Sequence, residues 1–110
     1  MIETIVTDYL NGKLGVPVHM EMPDVQPVRF VLVERTGGSE EEHIQYATLA
    51  IQSYAESTYQ AAVLNDMVKA AMKEIVVLDS IFKSKLNSDY NFTDTTRKKH
   101  RYQAVYDLNY

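Results

Sequence analysis

With 110 residues and a formal net charge of −4 (15 acids against 11 bases), the chain has room for one compact domain and lacks the basic excess of a dedicated nucleic-acid binder. Its hydrophobic fraction of 45% and charged fraction of 24% are ordinary for a folded protein and set aside disorder throughout. It contains no cysteine, which excludes disulfides, thiolate metal sites and a cysteine nucleophile.

The first residues, MIETIVTDYL, carry acids where a secretory leader would carry bases, and no apolar run approaches the length of a membrane span. The expected setting is the inside of a cell. Ile2, Ile5, Val6, Tyr9 and Leu10 recur at helical spacing, which predicts an amphipathic helix over 2–10 stopped by Asn11–Gly12. Val16–Met22 alternates, and Pro17 makes it an edge strand or the start of one. Pro23 and Pro27 bracket a turn before Val28–Arg35, whose β-branched residues fall on both faces as in a central strand.

Ile44–Ser57 reads as the next strand, so Thr36–His43 is expected to be the loop of a long antiparallel hairpin. A helix follows: Ser57 and Gln60 have capping-box spacing, and Ala61, Leu64, Met67 or Val68, Ala71 and Ile75 form an apolar stripe. Ile81–Asp94 reads as a strand running into a polar turn. Arg101–Tyr110 alternates strictly, with Tyr102, Ala104, Tyr106, Leu108 and Tyr110 on the face expected to meet a helix. The whole, residues 1–110, is expected to be a single α+β domain. Its antiparallel or mixed sheet carries two helices on one face, in the order α-β-β-β-α-β-β.

The chemical motifs are weak. Glu40 and His43 have E-x-x-H spacing, but carboxylate-bridged metal sites need two such pairs on facing helices. Asp89, Asn91 and Thr93 mimic the start of a calcium loop, but Asp94 and His100 stand where its glycine and bidentate glutamate belong. His19, His43 and His100 are scattered, and no serine has a nucleophile-elbow frame. No catalytic, cofactor or metal residue is assigned. The run Arg97–Arg101 is the one dense basic stretch. It could serve a small nucleic-acid-associated domain or a charged protein interface. Glu40, Glu41, Glu42 and His43 form an acidic counterpart with Arg35 nearby. If both lie at the edges of one surface, copies could dock head to tail, with Glu40–Glu42 against Lys98 and Lys99.

The N-terminal helix, the hairpin around VRFVLVERTGGSEEEHIQYATLAIQSYA, the long second helix and above all LNSDYNFTDTTRKKHRYQAVYDLNY resemble tail-terminator proteins of long-tailed bacteriophages. The likeness is to versions in phages and prophages of Gram-positive bacteria, also described as tail-completion or minor capsid proteins. It covers nearly the whole chain in element order and carries no catalytic residues. It implies a virion protein of the tail neck, assembled in the bacterial cytoplasm. Such a subunit forms a ring, usually of six, on the head-proximal end of the tube, stops tube growth and offers a surface to head-completion proteins. The implied partners are its own copies, the major tail tube protein and neck proteins, with no cofactor, small-molecule substrate, membrane or direct DNA contact. The nearest rival is another head-tail connector protein. The resemblance assigns no contact residues; the charge pattern of the two loops gives the expected interface residues as Arg35, Glu40, Glu41, Glu42, His43, Arg97, Lys98, Lys99 and Arg101.

Overall fold

The computed structural model describes residues 1–110. Helix α1 (Ile2–Lys13) leads into β1 (Val18–His19), β2 (Phe30–Glu41), β3 (Ile44–Ala55), helix α2 (Thr58–Lys73), a 3-10 turn (Ile75–Val77), β4 (Lys83–Asn91) and β5 (His100–Asn109). This is the α+β order expected from the sequence. The five strands form one sheet in the order β1-β2-β3-β5-β4, antiparallel except for the short parallel pair β1–β2.

Both helices cover the same face. Val6 and Leu10 of α1 and Leu64, Val68 and Met72 of α2 close on Val31, Val33, Leu49, Ile51, Ala104, Tyr106 and Leu108, all buried in one cluster. Each large aliphatic side chain removed from water there contributes about 1.5–3 kcal/mol. The alternation of β5 has its expected use, with Ala104, Tyr106 and Leu108 in the core and Tyr102 half-buried beside it. In α2 the stripe runs through Val68, fully buried, and leaves Met67 exposed. The Ser57 side chain accepts a hydrogen bond from the Gln60 amide at the helix start.

Several boundaries differ from the sequence reading. Helix α1 continues through Asn11 and Gly12 to Lys13. The Asn11 side chain ties the next segment to the helix: Nδ2 donates to the Val18 carbonyl and Oδ1 accepts from the Val18 amide. Strand β1 keeps only two of the residues from Val16 to Met22. The largest correction is Thr36–His43, which is mostly strand and not loop. Ladder pairing reaches Glu41↔Ile44 after a bulge between Arg35 and Gly37, and only Glu42 and His43 turn the chain, with φ of 49° and 69°. Both lie in the left-handed region that a two-residue type I′ hairpin turn requires.

Candidate functional site

Eight of the nine singled-out residues fall into two groups at opposite ends of the sheet, while Arg35 pairs with Leu49 in the middle of the β2–β3 ladder. Glu40 and Glu41 end β2 and Glu42–His43 form its turn, all exposed. At the other end of β3, Ala55 pairs with His100 and Tyr54 with Arg101, so Arg97–Lys99 lies just beyond the far end of the same strand and Arg101 just inside it. Eleven residue steps of extended chain separate the ends by roughly 35 Å, consistent with a longest dimension of 44 Å. Acid and base cannot touch within one molecule. Contact between them in neighbouring copies requires docking end to end.

The basic end is less free than its sequence implies. Asp94 Oδ1 accepts from the amides of Thr96 and Arg97, and Asp94 and Lys99 exchange both backbone hydrogen bonds, closing a tight loop with Lys98 at φ 55°. Lys99 Nζ donates to Gln26 Oε1 at 2.6 Å. Arg101 is clamped on the helix-free face: Nε donates to the Phe92 carbonyl, one terminal nitrogen donates to the Tyr54 hydroxyl, and the guanidinium lies 4.2 Å from the Phe92 ring centre. Arg97 and Lys98 remain without an acidic partner. Arg35, at the bulge, donates to the Gly37 carbonyl and approaches Glu3 at 3.8 Å.

That clamp belongs to a network the sequence did not announce. Arg101 donates to the Tyr54 hydroxyl, Tyr54 to Gln52, Gln52 to Gln103, and Gln103 to the Tyr90 hydroxyl, a chain crossing three strands on the face without helices. Phe30 stacks on Tyr54 at 4.6 Å. Gln52 and Gln103 are buried, and each amide nitrogen has an acceptor, which is how a polar row is tolerated there. Thr48 and Asn87 both donate to Asp107, continuing the row toward the acidic end. The face thus carries a polar row bonded to itself beside the buried cluster of Phe30, Leu32 and Tyr54.

On the helix side Lys69 donates to Asp89 at 3.2 Å and sits 3.5 Å from Asp66, and these carboxylates hold its ammonium above the ordinary lysine range. Asp89 also accepts from the buried Asn65. A groove of about 440 Å³ opens there between α2 and β4, with Lys73, Ser84 and Leu86 in its wall. Asp89, the first oxygen ligand of the calcium-like sequence, is thus engaged with α2, and Asn91 Oδ1 accepts from the amide and hydroxyl of Thr93. No group of three His, Asp or Glu side chains is close enough to hold a metal ion, and no helix is long and apolar enough to cross a membrane.

Sequence reasoning missed Lys73, Lys83 and Lys85, which border the outer strand β4. Their spacing carries no signal of its own, because which strand lies outermost depends on the sheet order. No protein-family model matches the chain. No curated protein matches it.

Proposed function

We propose that the chain is a non-enzymatic structural subunit of a phage or prophage tail. It acts as the tail terminator: a ring, six copies in the family it resembles, that seats on the head-proximal end of the tube, halts polymerisation and receives the neck proteins. The observation that carries this reading is the placement of opposite charge, without ion-pair partners, at the two ends of one sheet. A terminator must present two different surfaces to two different partners, and complementary charge chooses partners and speeds encounter more than it adds affinity. The resemblance across nearly the whole chain supplies the identity of those partners.

The test is tube growth in vitro. Purified protein added to polymerising tail tubes is expected to arrest elongation and to leave a cap of density at one end in electron micrographs. Tubes that lengthen unchanged at saturating protein overturn the reading. The nucleic-acid alternative loses ground, because Lys99 and Arg101 are tied to Gln26 and to the Phe92–Tyr54 pair. A steeply salt-dependent shift with DNA would restore it.

A further inference from the structure

The sheet is open at both sides. Strand β1 covers β2 only at Val31 and Leu32, so from Val33 to Glu41 the outer edge of β2 has no strand beside it. Across the sheet, β4 (Lys83–Asn91) pairs with β5 alone. Both free edges run for about 30 Å, and such an edge offers unpaired amide and carbonyl groups to any strand of the right hand and charge.

The edges differ in sign once internal pairs are removed. On β2, Arg35 approaches Glu3, while Glu34, Glu40 and Glu41 have no ion-pair partner. On β4, Asp89 holds Lys69, while Lys83, Lys85 and the adjacent Lys73 of α2 have none. The faces match as well. Ser39, Tyr46, Asn109 and Lys83 form one row across the sheet, so Glu41 shares the helix-free face with Lys83 and Lys85. Glu40 points to the helix side, where Lys73 lines the groove along β4.

We propose that these edges join copies of the protein: the free stretch of β2 in one subunit adds to β4 of the next and continues the sheet around the ring. Strand β2 runs opposite to β3, β3 to β5 and β5 to β4, so β2 is antiparallel to a neighbour's β4 when all copies keep the same end up. An offset of two residues from the row of Ser39 and Lys83 sets Glu41 opposite Lys83 and Ser39 opposite Lys85. Closed sheets need a stagger of this kind. The contact is heterologous and closes when its rotation permits. The acidic turn and the basic loop then lie on opposite rims, free for two partners. This deepens the ring reading of the proposed function and does not depend on what the rims meet.

The chain has no cysteine, which permits a direct test on the full protein. Ser39→Cys with Lys85→Cys places one thiol on each edge, too far apart to close within a subunit. Glu42→Cys with Lys98→Cys places them at the two ends. Under mild oxidation the edge pair is expected to give a ladder of covalent oligomers on denaturing gels, and the end pair to stay monomeric. Lys83→Glu with Lys85→Glu is expected to weaken association by roughly tenfold in light scattering, with Glu41→Lys recovering part of it.

Cross-linking of the end pair instead, or a ring that forms while neither pair links, overturns the edge contact and leaves the terminator reading standing. Edge-linked rings that fail to stop tube growth uphold the contact and end the terminator reading. A chain that stays monomeric at every concentration and with tubes present ends both, and the edge lysines then serve only to keep sheets apart.

Discussion

Arg101 shows how far a residue's role can depart from its neighbourhood in sequence. Set in a run of bases, it would be replaceable by any cation if it met an anion. Held by two hydrogen bonds and a ring face, it depends on the planar fork of guanidinium, which lysine lacks. Arg101→Lys is therefore expected to cost about 1–2 kcal/mol in urea denaturation, while Lys98→Ala, in the loop before β5, stays within about 0.5 kcal/mol. Tyr106 is buried at 4% exposure beneath α2, and burial first, then nearby Asp89, pushes its hydroxyl up to about 12 from an ordinary 10.0. The fold favours the neutral phenol, so its contribution is intact below pH 10. It is lost as pH rises to 12, where the unfolded chain has already released the proton. The loss is on the order of 2 kcal/mol. Tyr106→Phe is expected to flatten that alkaline limb in a stability profile.

At the scale of elements, the β2–β3 hairpin works against its own turn. Glu42 and His43 both occupy left-handed backbone without glycine, a conformation in which asparagine and glycine are at ease. Replacing the pair with Asn and Gly is expected to raise stability by about 0.5–1 kcal/mol, read as a higher denaturation midpoint. Helix α2 depends on its start: Ser57 supplies the one side-chain cap, and Ser57→Ala is expected to cost about 1 kcal/mol without affecting the sheet. The two elements behave oppositely because α2 is braced along its length by the core, whereas the hairpin end is exposed on β2 and β3 from Glu34 through Gln45.

For the whole molecule, the proposed reading splits into two contacts that can be tested apart: the strand edges between copies, and the charged ends toward other partners. With the ends roughly 35 Å apart, reversing Glu40 and Glu42 to lysine is expected to spare the edge contact and impair tube capping, whereas Glu41→Lys, set opposite Lys83 of the next copy, is expected to weaken the ring as well. Adding Lys98→Glu with Lys99→Glu is expected not to restore capping. Restoration by that second reversal, measured as arrested tube length, would favour end-to-end docking of copies. Assembly by either route should weaken with added salt, since these charges are exposed and their attraction is screened over about 10 Å at 0.1 M.

The helix of Ile2–Leu10, the capped stripe after Ser57 and the alternation of Arg101–Tyr110 were legible because local periodicity reports which face an element buries. The acidic and basic runs were visible for the same reason: they are contiguous. Chain order alone could not say that β5 inserts between β3 and β4, that Arg101 leans on Phe92 and Tyr54, or that the edge of β4 carries the unpaired lysines. Thr36–Glu41 reads as loop because its glycines, serine and acids lack β propensity, yet β3 beside it holds it extended through backbone hydrogen bonds that side-chain pattern does not encode. The sequence by itself determined the fold class, the core faces and the two charged ends, since these follow from short-range periodicity and charge. Only the tertiary structure decided which edges stay open and which charges stay unpaired, because both depend on contacts between residues far apart in the chain.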